Sequence, residues 1–421
     1  MSTLFGLIDC NSFYASCQKA FQPELKDRPV IVLSNNDGCV VARSQEAKDL
    51  GIPMGAPFFQ IRADCLRQRI VVFSSNYALY GDMSRRVMQT LAQRTPEIEI
   101  YSIDEAFLHF GKGCVPSLEE AQGLVDTVYQ WTGIPTSIGI APTRTLAKIA
   151  NRTAKKRREK ACVLLDESVR QSILKQFPLA DVWGVGRRLY DRFYRSGIRT
   201  AWDLAQQNPA EIRRQFSVVQ EAMVRELNGE SCFGNQQSPP TNKTIQVSRT
   251  FGKRQSELPA VEAAIATFAA RGAEKLRQQG TVARAIQVYI QTSPFQPVPQ
   301  YSATTVLPFD LPTDDTLTIA AVARQALEKI FQPGYSYMKA GILLLDLGPA
   351  NIAKQQGNLF EDPENQVRRD SLMRTLDFLN EKIGKSAVMV GSQLFDPSWN
   401  ACRESVSPRY TTEWSDLPIA K

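Results

Sequence analysis

A single histidine, His109, occurs among 421 residues. That scarcity excludes most Ser-His-Asp chemistry and every multi-histidine metal centre, so any catalysis has to rest on carboxylates, lysine, arginine and hydroxyls. His109 itself lies in the strand-like run AFLHF and reads as a structural residue. The eight cysteines (10, 17, 39, 65, 114, 162, 232 and 402) are never closer than seven residues and include no CxxC pair. They argue against a zinc or secretory disulfide framework and read as reduced, mostly buried thiols of a cytosolic protein. No uninterrupted apolar run approaches about 18 residues. The opening MSTLFGLIDC meets Asp9 with no basic segment before it, so neither a membrane span nor a secretory leader is expected. No internal repeat is visible.

Hydrophobic residues make up 43% and charged residues 22%, a composition able to build folded cores. At about 100–200 residues per domain, the length predicts two to four domains. Lys and Arg number 50 against 43 Asp and Glu, a net charge of +7. Residues 351–421 hold 9 basic and 10 acidic side chains, so the excess lies upstream, clustered at 148–160 and 187–199. Clusters of that kind permit a polyanionic partner.

LFGLID reads as a buried strand ending on Asp9, followed by a helix over NSFYASCQKAF with Asn11 or Ser12 as its cap. RPVIVLS and CVVARS form a hairpin across NNDG, residues that tolerate positive φ. Short helices over SQEAKDLG and near 61–68 complete a small unit through about residue 74. SNYALYGDMSRRVMQTLAQ and SLEEAQGLVDTVYQWTG are helices, EIEIYSIDEAFLHF is a strand pair around SID, TSIGIA is a strand and TRTLAKIANRTAKK a basic helix. The alternation predicts a mixed sheet covered by helices. Residues 171–230 read as short helices, and QQSPPTN (236–242) as a linker. Strand 243–251, helix 257–279, strands 282–293 and 301–307, helix 315–331 and strand 339–346 follow the order of a ferredoxin-like split βαβ unit. Beyond 350 the chain is polar and weakly periodic.

Asp9 at a strand end and Asp104-Glu105 in a turn bring three carboxylates within reach of one sheet edge. Such groups repel one another unless cations are present. Two Mg²⁺ ions about 3.5–4 Å apart would neutralise them and clamp the attacking and leaving oxygens of a phosphoryl transfer.

The runs FGLIDCNSFYASC, SSNYALYGDMSRRVM, YSIDEAF and GIAPTRTLAKIANRTAKK stand in the order and approximate spacing of Y-family translesion DNA polymerases. VWGVGRR and SPRYTTEWSDL extend the likeness over essentially the whole chain, which within that family most resembles the UmuC-type catalytic subunits of bacterial DNA polymerase V. The resemblance implies an α+β multidomain right hand: palm 1–20 and 75–170, fingers 21–74, and a helical thumb 171–235 carrying a helix-hairpin-helix. A linker 236–242, a ferredoxin-like split βαβ little finger 243–350 and a C-terminal partner-binding tail 351–421 would follow. The implied activity is error-prone primer extension opposite damaged template in the SOS response, in the cytoplasm at the bacterial nucleoid. Asp9, Asp104 and Glu105 would be catalytic and, with the Cys10 carbonyl, would hold two Mg²⁺ ions. Ser102 would support the turn.

Phe13 and Tyr14 follow Asp9 by four and five residues. By the resemblance Tyr14 is the steric gate, its ring filling the space of a ribose 2′-hydroxyl, with Phe13 either beside it or in the core. Nucleotide contacts are expected from Lys155, Lys48, Gln45 and Ala42. Lys48 stands where relatives often carry Arg, keeping the charge but not the fork, and Gln45 where many carry Tyr. Compact residues Gly38–Ala42 match stretches that roof the nascent base pair and leave its shape weakly checked. Gly184 and Gly186 allow backbone to approach a phosphate, with Arg187 and Arg188 close by. Lys243, Arg249, Lys253 and Arg254 are candidate backbone contacts of the little finger. Gln356, Leu359 and Phe360 look like a sliding-clamp-binding segment. A processed UmuD-type dimer and a RecA filament are the further implied partners, beside primer-template DNA and deoxynucleoside triphosphates.

Two rival readings remain at this level. A palm-like enzyme making cyclic nucleotides would not need the thumb hairpin, little finger or clamp segment. A non-catalytic DNA-binding scaffold recruiting repair partners would be expected to lack one of the three carboxylates, and none is missing.

Overall fold

The computed structural model describes residues 4–95, 97–111, 113, 115–234, 241–297, 299–353, 363–384, 386–393 and 399–417. The chain separates into two compact units, residues 1–238 with 405–421, and residues 239–404.

In the first unit, β1 (Leu4–Cys10) is buried at every position except Asp9 and so takes the centre of a five-stranded sheet. It pairs antiparallel with β6 (Glu105–Phe110) and β7 (Thr136–Ala141), and β5 (Ile98–Ile100) and β8 (Ala161–Val163) complete the order β5-β6-β1-β7-β8. Strand alternation sorts the side chains. Leu4, Ile8, Cys10, Ala106 and Leu108 pack with α1 (Phe13–Phe21), α4 (Tyr77–Ala92) and α5 (Leu118–Thr132). Phe5, Leu7 and Phe107 pack on the other face with α6 (Arg144–Arg157) and the helices beyond it. By the same parity Asp9 and Glu105 belong to the α6 face.

The expected hairpin of β2 (Val30–Leu33) and β3 (Val40–Arg43) is present, joined by a tight turn at Asn35–Asp37. Asn36 (φ 60°) and Asp37 (φ 49°) adopt the left-handed conformation, whereas Gly38 does not, at φ −74°. A third strand, β4 (Val71–Ser74), runs parallel to β2 and was not read from the sequence, as β8 was not. Strands of three or four residues carry no period of their own. Helices α2 (Gln45–Asp49) and α3 (Phe58–Arg67) cover this sheet. Then α7 (Glu167–Gln176), α8 (Arg187–Arg195), α9 (Ala201–Ala205), α10 (Pro209–Gln215) and α11 (Val218–Leu227) form the all-helical stretch. Buried Glu226 of α11 accepts from Thr145 N at 2.9 Å, tying that stretch to the start of α6.

The second unit is β9 (Ile245–Gln255), α12 (Leu258–Gln279), β10 (Thr281–Gln291), β11 (Ser302–Thr313), α13 (Thr316–Ile330) and β12 (Tyr337–Leu345). In the sheet order β11-β10-β12-β9, the last strand lies between β9 and β10, which is the split βαβ arrangement. A short strand β13 (Gly348–Pro349) and turn of helix α14 (Ala350–Ala353) follow. Downstream of 350, where little structure was expected, α15 (Pro363–Lys382) is a full helix. It docks through ion pairs more than an apolar stripe: Arg277 donates to Asp377 at 2.6 and 2.7 Å, Arg369 donates to Asp315 at 2.9 Å, and Met373 is buried. That is why its periodicity was weak. The last described segment, 405–417, packs in the first unit. Among the described residues no helix is long and apolar enough to cross a membrane.

Candidate active site

Asp9 and Glu105 are direct partners across the β1–β6 ladder, and Cys10 N donates to Asp104 O at 2.8 Å, so the strand end and the turn are fixed to each other. Ser102 shapes the turn as expected. Its hydroxyl donates to Asp104 Oδ1 at 2.6 Å and accepts from Asp104 N and Glu105 N at 3.2 and 3.0 Å. Asp9 and Glu105 thus come together, while the Asp104 carboxylate is engaged by Ser102. Among the described residues no three acidic, histidine or cysteine side chains form a ready metal cage.

Two lysines of α6 stand where cations would neutralise this edge. Lys155 pairs with Asp9, and Lys148 donates to Glu105 at 2.8 Å. Burial raises the Asp9 carboxyl, Lys155 pulls it down and the Glu105 charge raises it again, leaving it at about 7. The oxygens of this edge are the hard donors that divalent cations take. Asp9 and Glu105, with Asp104 on the adjoining turn, are the residues that would hold such ions.

Lys148 was missed as a site residue. Its ammonium lies over Tyr101 (4.4 Å), Trp183 (5.2 Å) and Phe107 (5.7 Å), a cage of cation–π contacts beside Glu105. The available signal was its place two turns before Lys155 on one helix face. Trp183 itself comes from the VWGVGRR hairpin.

Tyr14 is half-buried and stacks on Tyr80, ring centroids 4.2 Å apart at 11°, with its edge to Tyr77 at 6.1 Å. Phe13 is a core residue, 3% exposed. Of the two cap candidates, Ser12 occupies the N-cap of α1 but in a left-handed conformation (φ 50°) with no side-chain cap bond. Its hydroxyl accepts instead from Lys48 Nζ at 2.9 Å, which brings Lys48 beside the acidic edge. Burial, then Lys155 and Arg43, lower the Lys48 ammonium. Ala42 is buried in β3, and Gln45 is exposed and donates to Asp49 at 2.7 Å within its own helix.

Gly184 takes φ +88° in the hairpin, where a Cβ would also meet Met223 Cε at 2.9 Å, and Gly186 is the N-cap of α8. Arg187 and Arg188 are exposed at that helix start. In the second unit Lys243, Arg249, Lys253 and Arg254 are exposed along or just before the edge strand β9. Gln356, Leu359 and Phe360 lie outside the described residues. His109 is buried edge-on to Phe5 beside Glu99, a structural position, and burial lowers its pKa. Cys10, Cys17, Cys65 and Cys162 are buried free thiols, while Cys232 and Cys402 are exposed.

Residues 8–152 match the impB/mucB/samB family and residues 242–359 the C-terminal domain of that family. Protein ImpB of Salmonella typhimurium is 45% identical over 99% of this chain and 100% of its own. The chain belongs to the impB/mucB/samB family of Y-family DNA polymerases. Among the other relatives of this Y-family chain, protein UmuC of Salmonella typhimurium is 43% identical over 98% of the chain and 99% of its own, and DNA polymerase IV of Moorella thermoacetica 28% over 91% and 94%. A solved Y-family DNA polymerase chimera superposes with a TM-score of 0.64 over 82% of this chain and 98% of its own, at 17% identity. Residues 370–420 match a domain of unknown function. DNA and nucleotides are the substrates of this family, and divalent metal is its general requirement.

Proposed function

We propose that this error-prone translesion DNA polymerase of SOS mutagenesis joins a deoxynucleotide to a primer 3′ end at the edge formed by Asp9, Asp104 and Glu105. The carrying observation is the direct pairing of Asp9 with Glu105 across β1 and β6, beside the turn that holds Asp104. Asp9, Asp104 and Glu105, with the Cys10 carbonyl, would hold two Mg²⁺ ions, which would supply charge neutralisation for the phosphoryl transfer. Lys155 and Lys48 meet the triphosphate as mobile point charges, and Lys155 exchanges its Asp9 partner for phosphate. Gln45 and Ala42 border that path. Tyr14 rejects a ribose 2′-hydroxyl by bulk, backed by Tyr80, and Phe13 holds its helix to the core.

Palm, fingers, thumb and little finger follow the boundaries 1–20 with 75–170, 21–74, 171–235 and 243–350. Gly184, Gly186, Arg187 and Arg188 contact duplex backbone from the thumb, and Lys243, Arg249, Lys253 and Arg254 from the little finger, none reading sequence. Gln356, Leu359 and Phe360 take a sliding clamp. A processed UmuD-type dimer and a RecA filament assemble with the chain in the bacterial cytoplasm.

Primer extension with wild type and Asp104→Ala, partners present, tests the metal assignment. Extension is expected to disappear in the variant, and its survival would refute the role of Asp104.

A further inference from the structure

Residues 405–410 lie against the two helices that support Tyr14. Ser74 and Ser405 exchange a pair of hydrogen bonds: Ser74 N donates to Ser405 O at 2.9 Å and Ser405 N donates to Ser74 Oγ at 3.0 Å. Asn76 then caps α4, its Oδ1 accepting from Leu79 N at 3.3 Å. Its amide nitrogen faces the other way and donates to Ser407 O, Ser407 Oγ and Pro408 O at 3.0, 3.1 and 3.2 Å. Three residues on, Tyr410 stacks on Phe21 with centroids 4.9 Å apart at 11°, and its hydroxyl accepts from Gln22 at 2.8 Å. Asn76, Ser407 and Tyr410 are each more than nine-tenths buried.

Phe21 ends α1 and Asn76 begins α4. The seam between these helices holds Tyr14 against Tyr80 and Tyr77, with Gln18 of α1 donating to the Tyr80 hydroxyl at 2.9 Å. The 405–410 segment therefore bonds one helix at its start and the other at its end. A gate that excludes a single hydroxyl depends on ring placement to a fraction of an ångström, and packing and hydrogen bonds around it set that placement.

We propose that residues 405–410 form a strap that clamps the α1–α4 seam and positions Tyr14, making the end of the domain of unknown function a determinant of sugar selection. Tyr410 and Asn76 are positioning residues in this account, and neither touches the nucleotide. The inference rests on Tyr14 being the gate, and the experiment separates the two.

The full chain is compared as wild type, Tyr14→Ala, Tyr410→Ala, Tyr410→Phe and Asn76→Ser in single insertions of matched deoxy- and ribonucleoside triphosphates. Tyr410→Phe keeps the stack, while Asn76→Ser keeps a helix-cap oxygen but loses the strap. Amide hydrogen exchange at residues 77–82 is followed in parallel. Tyr410→Ala and Asn76→Ser are expected to lower the deoxy-to-ribo ratio of kcat/KM by roughly threefold or more, to speed exchange at 77–82, and to leave discrimination among the four bases unchanged. Tyr410→Phe should restore most of the ratio. A wild-type ratio in Tyr410→Ala and Asn76→Ser, with Tyr14→Ala relaxed, overturns the strap and keeps the gate. An unchanged ratio in Tyr14→Ala overturns the gate reading and with it the selectivity assigned to the strap. Should Tyr410→Ala fail to fold, Asn76→Ser decides by the same two readouts.

Discussion

Gly139→Ala is the sharpest test of how the site is built. Gly139 sits in the middle of β7, where α6 crosses the sheet, and a Cβ there would lie 2.1 Å from Asn151 N, 2.4 Å from Ala147 O and 2.8 Å from Ala150 C. Ordinary contact begins near 3.5 Å, so one methyl overlaps helix backbone by roughly 1.4 Å. Backbone cannot rotate aside as a side chain can, and α6 as a whole must retreat. Retreat strains the bonds of Asn151 Nδ2 to Ser137 O (2.6 Å) and Leu7 O (3.2 Å), each worth about 1 kcal/mol. Overpacking alone costs about 1–3 kcal/mol. The variant should lose about 3 kcal/mol or more, read as a fall of roughly 6 °C or more in the transition of the first unit. Because α6 carries Lys148 and Lys155, a shift near 1 Å should also cut insertion kcat/KM by about a hundredfold. Thermal melting and single-nucleotide insertion measure the two effects. Melting within 1 °C of wild type with unaltered kinetics, a margin far below the about 3 kcal/mol expected, would show that α6 is not seated by this contact.

Tyr14→Ala is expected to admit ribonucleotides in single-nucleotide insertion with little change toward deoxynucleotides, and unchanged sugar selection removes Tyr14 from the gate. Divalent binding should weaken as pH falls through about 7, because the proton on Asp9 competes with the cation. Below that point calorimetry with Mg²⁺ should show up to about tenfold lower affinity per pH unit, and equal affinity at pH 6 and 8 refutes the competition. Taken alone, the raised Asp9 pKa contributes more stability to the metal-free protein near pH 5 than near pH 8, because the folded state there holds a proton that the unfolded state has released. Leu359→Ala with Phe360→Ala should weaken clamp binding at least tenfold in a direct binding assay while primer extension without clamp is unchanged; equal affinity rules that segment out.

Much of this was legible in the chain. Strand period put Asp9 at the end of a buried strand, the SID turn placed Asp104 and Glu105, and the βαββαβ order of the second unit followed from long, well-marked elements. The basic helix 144–157 was visible, and Lys155 on it. Short strands such as β4 and β8 were not, because a run of three or four residues fits helix or strand equally. Helix α15 escaped because its docking rests on Arg277–Asp377 and Arg369–Asp315, pairs whose partners lie far away in sequence.

What the sequence determined by itself is the set of chemical groups and the local geometry that carries them: carboxylates at a strand end and a turn, an aromatic pair opening a helix, lysines on one helix face. Tertiary structure decided which of them meet. Antiparallel register set Asp9 against Glu105, the crossing of α6 over Gly139 supplied Lys148 and Lys155, and Tyr101, Phe107 and Trp183 enclosed Lys148. It also carried Tyr410 back to Phe21, 389 residues away by number. Local propensity acts over a few neighbouring residues, whereas contacts between distant segments form only when the whole core closes.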